Sequence, residues 1–393
     1  MLALVLGGLA LLVAPPAPGF ADFVEYWSSF QLALAGQNPY DAQALFVFEH
    51  SVRPDLQQPI MMWNPPWLHV LLAPILSLSL AMSGRVFLLV NLLLYFLSAF
   101  LILRALNVRP VHYLWAYLAS VWFYPLPDVL NGGQISIFVG LGAALLFHAL
   151  CGSRSPWQIA FGLCLLSIKP HLFYLLAFAV LLELCYRRHY RALLISCGLF
   201  SLFAAVTQLF FPGNISAWLE AVLDPVTAGV STFSWRPVSL VAPLVDLVRS
   251  FLPPETAIRI IVAYTGISLM SISCLVGLLV FLKRQAWCWQ KDFHVLAAFS
   301  CFTSPHAWMV DQVALLPLQL GIFACGLRLL RTSRAFGILL AGSAFVYQTL
   351  VFVAAKTLLD EPSQFFWYPF GLLIIYTGAI AVESRLRARE VRL

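Results

Sequence analysis

Residues 86–104 read VFLLVNLLLYFLSAFLILR, an uncharged apolar run closed by Arg104. At a rise of about 1.5 Å per residue, such a run approaches the roughly 30 Å of a bilayer's hydrocarbon core. Similar runs occupy, approximately, residues 2–20, 111–125, 135–151, 156–169, 171–186, 190–211, 258–282, 293–304, 307–330, 335–357 and 364–382. Of the 393 residues, 61% are hydrophobic and only 10% are charged, and the mean hydropathy is +0.88. A soluble domain of this length has no use for so much apolar surface. The expected fold class is an all-α polytopic membrane protein. It is a bundle of about twelve transmembrane helices with an outer layer of amphipathic and juxtamembrane helices. No polar stretch is long enough for a separate soluble domain, so residues 1–393 read as a single integral membrane domain.

Charge sets the expected topology. Arg104/Arg109, Arg154, Arg187/Arg188/Arg191, Lys283/Arg284/Lys291, Arg328/Arg331/Arg334 and Arg385/Arg387/Arg389/Arg392 all fall between apolar runs. They land on one side if the further run 67–82 is a juxtamembrane or re-entrant helix. By the positive-inside rule that side is the cytoplasm, with both termini inside. The apolar start, residues 1–20, resembles a signal peptide but lacks a basic leader, and it reads as a retained first helix. The net charge of +6 is spread over short loops, which excludes a nucleic-acid surface. The eight cysteines show no paired spacing, and neither a disulfide framework nor a zinc site is expected. Asn214-Ile215-Ser216 matches a glycosylation sequon, a frequent chance match.

The unusual polar residues gather on the opposite, outer side, whose two long loops are about 21–66 and 212–257. Asp22 and Glu25 stand in ADFVEYWSSFQLALAGQNPY, residues 21–40. A carboxylate at the membrane boundary costs a few kcal/mol unless it faces a cavity. Asp22 therefore reads as a general base, or as the N-cap of an amphipathic helix over 23–35. Lys169 interrupts LCLLSIKPHLFYLL and should meet an anion; the other reading is a snorkelling lysine. Asn131-Gly132-Gly133-Gln134 reads as a helix start whose free N–H groups suit a phosphate or sugar. Arg236 follows a Ser/Thr-rich loop and suits a phosphate, or is a surface arginine. His171 and His306 are ligand candidates or buried histidines, and Asp311 orients His306 or binds substrate. No Walker A loop, GxGxxG, GxSxG, HExxH or DxD metal motif occurs, so no metal and no cofactor are expected.

Six segments occur in order: DFVEYWSSFQLALAGQNPYD (22–41), MMWNPPWLHVLLAPI (61–75), NGGQISIFVGLGAALL (131–146), LLSIKPHLFYLL (165–176), VSTFSWRP (230–237) and TSPHAWMVDQVALLPL (303–318). Together, over about residues 20–320, they resemble the bacterial polyprenyl-phosphate-mannose-dependent mannosyltransferases of glycosyltransferase family 87, which have the membrane-embedded C-type fold. The resemblance implies an inverting hexosyltransferase in the plasma membrane, with its site facing outward. Its donor would be a polyprenyl-phosphate sugar, most often mannose, and its acceptor a glycolipid or glycan. It makes Asp22 the base. Lys169, Arg236, Gly133, Gln134 and His171 become candidates for holding the donor, and His306, Asp311, Tyr40 and Asn64 candidates for the acceptor or for support. The reading from another class is a multi-span transporter or flippase; that class usually carries inverted repeats, and none is visible.

Overall fold

The computed structural model describes residues 21–223, 237–252, 258–358 and 362–390. The expected first span at 2–20 and Arg236, with most of its motif, lie outside the described residues. All regular structure among the described residues is helical. In chain order the helices are α1 Ala21–Leu34, α2 Ala42–Val52, α3 Trp67–Leu76, α4 Leu80–Ala105, α5 Tyr113–Val121, α6 Pro125–Gly132, α7 Ser136–His148, α8 Pro156–Leu166 and α9 Tyr174–Tyr186. There follow α10 Tyr190–Phe210, α11 Asn214–Leu223, α12 Val241–Arg249, α13 Ile258–Arg284, α14 Trp289–Thr303, α15 Leu316–Leu329, α16 Arg334–Thr357 and α17 Tyr368–Glu390.

Seven helical segments among the described residues are long and apolar enough to cross a bilayer: 80–105, 136–153, 190–210, 261–284, 309–329, 334–357 and 363–386. Four other expected spans are realised as shorter pieces. The run 111–125 yields α5, of 9 residues, and continues as α6. The runs 156–169 and 171–186 yield α8 and α9, of 11 and 13 residues. The run 293–304 belongs to α14, of 15 residues. Prolines explain much of this. Pro110, Pro125 and Pro156 each stand at a helix start, where their missing N–H costs nothing. Pro170 sits in the break between α8 and α9. The ambiguous run 67–82 divides as well: α3 is too short to span, and a new helix begins at Leu80.

Burial sorts the long helices. In the apolar 18-residue stretch of Met309–Leu329, 89% of residues are buried, and in that of Ser136–Ser153 61%, whereas the share is 11% in Tyr190–Phe210 and 17% in each of Ile261–Arg284 and Arg334–Thr357. The first two form the axis of the bundle, and the exposed leucines of the others form its lipid-facing coat. Helix α1, expected as an amphipathic helix over 23–35, is instead buried on nearly every side; among its described residues only Leu34 is exposed. Phe23, Tyr26, Phe30 and Ala33 recur at helical spacing, and all are buried in the main apolar core. Asp41 caps α2 by accepting from Ala44 N at 2.7 Å. Asn214 of the sequon is buried at the first residue of α11, so it is not presented as an acceptor.

A buried amide cluster ties the last helices to the middle of the chain. Gln348 on α16 donates from Nε2 to Gln319 Oε1 on α15 (3.0 Å). Its own Oε1 accepts from Tyr368 OH on α17 (2.9 Å) and from the main-chain N–H of Tyr124, which opens α6 (3.1 Å).

Candidate functional site

Asp22 lies in the first turn of α1, where a carboxylate is favoured by the helix dipole. The helix begins at Ala21, so Asp22 is inside it and is not its cap. Tyr26, one turn on, points the same way. Its hydroxyl donates to Gln134 Oε1 at 3.0 Å, and Gln134 Nε2 donates to Asp22 Oδ2 at 2.6 Å. Asp22 and Gln134 are 112 residues apart in sequence.

Gln134 takes its position from the turn before it. Asn131-Gly132-Gly133-Gln134 closes α6 and does not open a helix. Gly133 adopts the left-handed conformation at φ 68°, and the N–H groups of Gly133 and Gln134 both return to Val129 O. These donors are consumed in capping, which corrects the expectation that they stand free for a phosphate. The bareness of Gly132 serves a different end: a Cβ there would lie 3.2 Å from Asp22 Oδ2. On the far side, Asn91 Nδ2 on α4 donates to the Gln134 carbonyl at 3.2 Å.

Lys169 reaches the same place from the break between α8 and α9. Its ammonium donates to Gln134 Oε1 (3.1 Å), Ser136 Oγ (3.1 Å) and Asp311 Oδ1 (2.7 Å). The anion it was expected to meet is thus Asp311, in the 3-10 turn Met309–Leu315 that leads into α15. Ser136 Oγ also donates to Asp311 Oδ1 (2.6 Å), and Trp308 N donates to its Oδ2 (2.9 Å). Asp311 is therefore engaged with Lys169, not turned to orient His306. Lys169 is 7% exposed and Asp311 1% exposed. Asp22, at the other end of the chain of contacts, is only partly buried. Among the described residues its Oδ1 accepts no hydrogen bond.

The remaining candidates sit around this line. Tyr40 OH donates to the Asn64 carbonyl (3.0 Å), and Asn64 Nδ2 donates to Ile168 O (3.1 Å). This pair braces the Lys169 segment against the first outer loop. The half-buried rings of His171 and His306 meet edge to face, 6.1 Å between centroids. Burial raises the Asp22 carboxyl above its ordinary range, against the Gln134 N–H and Lys169, which favour the anion. Glu25 is raised much further, by burial first and then by Asp22 and Glu49. Tyr26, Asn91 and Ser136 join the site without being among the residues expected from the sequence. Their signal was present: Tyr26 is one turn from Asp22, and Asn91 and Ser136 are lone polar residues in apolar runs.

These contacts connect α1, the end of α6, the start of α7, the α8–α9 break and the approach to α15. A model of glycosyltransferase family 87 matches residues 63–305, well over half of the chain and including Asn64, Gln134, Lys169 and His171. The chain belongs to glycosyltransferase family 87. It is a membrane glycosyltransferase, a multi-pass helical protein acting on a sugar donor and an acceptor. Asp22, Tyr40, His306 and Asp311 lie outside the matched segment. No curated protein matches, and no solved structure does.

Proposed function

We propose that this family 87 glycosyltransferase moves a hexose, most often mannose, from a polyprenyl-phosphate donor to a hydroxyl of a glycolipid or glycan, with Asp22 as general base. The observation that carries the reading is the state of Asp22. One carboxylate oxygen is held by Gln134 and the other has no donor among the described residues, on a side chain reachable from outside an otherwise closed network. Burial has raised its basicity toward the useful range. In the reaction, Oδ1 takes the proton of the acceptor hydroxyl as its oxygen bonds to the anomeric carbon. The bond from that carbon to the phosphate oxygen breaks, the configuration inverts, and the electron pair leaves with the lipid phosphate. His171 and Arg236 are the candidates to receive that charge.

The outward orientation is supported by helix direction. Helices α7 and α15 carry Ser136 and the Asp311 turn at their amino ends, and Asn91 lies near the middle of α4. Arg104, Arg154 and Arg328 stand at or just beyond their carboxyl ends. With the arginines inside, the site faces the extracytoplasmic leaflet. The test is transfer from labelled polyprenyl-phosphate-mannose to a crude glycolipid extract, wild type against Asp22→Asn. The substitution keeps shape and removes the base. Transfer by wild type alone supports the reading, and equal transfer by both proteins removes Asp22 from the chemistry.

A further inference from the structure

We infer that Lys169 and Gln134 act on the base and not on the leaving phosphate: the ammonium, clamped by Asp311, fixes the Gln134 amide so that its NH2 holds one oxygen of Asp22 and leaves the other for the acceptor. The inference rests on the reading of Asp22 as base, and it makes Gln134 and Lys169 positioning residues.

The valences of Lys169 decide its role. An ammonium has three N–H donors. All three are used, on Gln134 Oε1, Ser136 Oγ and Asp311 Oδ1, at 3.1, 3.1 and 2.7 Å. A phosphate oxygen could be bound only by breaking one of these contacts at a site with almost no exposure. The orientation of Gln134 follows. An amide side chain presents a carbonyl on one side and an NH2 on the other, and either could face Asp22. Lys169 and the Tyr26 hydroxyl both donate toward the same atom, so that atom is the carbonyl oxygen. The NH2 is then directed at Asp22 Oδ2, 2.6 Å away. A flipped amide would set an oxygen against the carboxylate and an NH2 against the ammonium. The main chain of Gln134 is fixed independently, by its N–H bond to Val129 O and by Asn91 on its carbonyl.

Asp311 completes the logic. A bare lysine near Asp22 would stabilise the carboxylate and weaken it as a base. With Asp311 at 2.7 Å the pair is close to neutral overall, so the relay delivers direction with little added charge. Asp22 itself is acted on by Lys169 and Asp311 and is bonded to Gln134. Glu25 lies one turn on in α1 and interacts with it. The other titratable groups on elements packed against α1 are Glu49 and His50 on α2, His69 on α3, Arg85 and Tyr95 at the near part of α4, with Arg104 at its far end, and Asp128 on α6.

The experiment measures pH–rate profiles and donor KM for transfer from polyprenyl-phosphate-mannose, in full-length protein. The proteins are wild type, Asp22→Asn, Gln134→Leu, the isosteric Gln134→Glu, and the double variant Lys169→Met/Asp311→Asn. The double variant leaves no unpaired buried charge. Both Gln134 variants are expected to lower kcat at least tenfold. They also move its acid limb upward, in Gln134→Leu by about one pH unit because Asp22 has lost the donor that favours its anion, and further in Gln134→Glu because a second carboxyl then faces Asp22. The double variant also loses kcat at least tenfold, and donor KM stays within about twofold of wild type in all three. A tenfold or larger rise in donor KM for the double variant, with kcat kept, would make Lys169 a phosphate ligand and overturn the inference. An unmoved acid limb in both Gln134 variants would overturn it too. Asp22→Asn separates the levels: if it is active, the base reading itself fails. If it is inactive while the Gln134 limbs do not move, only the relay fails.

Discussion

Lys169→Met tests how much of the bundle's stability rests on the contact between Lys169 and Asp311. The two charges are 2.7 Å apart, with side chains 9% and 1% exposed. At an effective dielectric of about 20 the Coulomb attraction at that distance is about 6 kcal/mol. Removing the ammonium leaves Asp311 buried, with only the Ser136 hydroxyl and the Trp308 N–H as donors. Those two bonds offset part of the loss, and breaking a buried pair from one side costs about 3–5 kcal/mol. Lys169→Met/Asp311→Asn removes both charges; the amide oxygen accepts from Trp308 N–H while the Ser136 hydroxyl turns to accept from the amide NH2, so most of that cost should return. The assay is thermal unfolding in one detergent at one scan rate, ranking wild type, both single variants and the double variant. The expected order places the double variant well above Lys169→Met and near wild type. A double variant no more stable than Lys169→Met, or a Lys169→Met protein as stable as wild type, would refute the reasoning.

Two further outcomes follow from the buried carboxyls of Glu25 and Glu49. Glu25→Gln should keep transfer within a fewfold of wild type. Burial already holds that carboxyl far above its ordinary range, so the neutral amide resembles its resting form; loss of transfer with intact donor binding would instead make Glu25 the base. Glu49 is raised to about 7 by burial, so its folded pKa lies above the unfolded value of 4.5. Its burdensome charge is absent below pH 4.5, and the stability it removes grows between pH 4.5 and 7 and is fully lost above. Relative to wild type, Glu49→Gln should gain thermal stability as pH rises through that window, by up to about 3 kcal/mol. A pH-independent difference in melting temperature would contradict this.

The charges were the legible part of the site. Asp22 and Lys169 stood out because each is expensive against an apolar background, and both lie in the polar line. Their connection was not legible. Lys169 and Asp311 are 142 residues apart, and nothing local marks one as the partner of the other. The Gly-Gly turn was misread because glycines at a helix end and at a helix start leave the same letters; only the φ of Gly133 tells them apart. Hydropathy located the long spans well but averaged over prolines. The runs around Pro125 and Pro170 therefore looked like whole helices, where the chain forms short ones with polar breaks. Those breaks are where Gln134 and Lys169 are delivered, so the irregularity that spoiled the span count also built the site.

The Gln348 amide has a bearing on how the protein is made. Tyr124 presents its N–H at the foot of α6, the helix that ends in the Gly-Gly turn under Asp22, and the acceptor is a side chain 224 residues later. During synthesis α6 leaves the ribosome long before α16 does. Until the final hairpin arrives the Tyr124 N–H lacks its Gln348 acceptor, and a buried N–H without a partner is costly. The end of the molecule that holds the candidate site thus gains one of its contacts late, from a helix that makes no hydrogen bond to Asp22 or Lys169. A nascent chain halted before residue 334 would hold every residue of the polar line and still lack the clasp that seats α6.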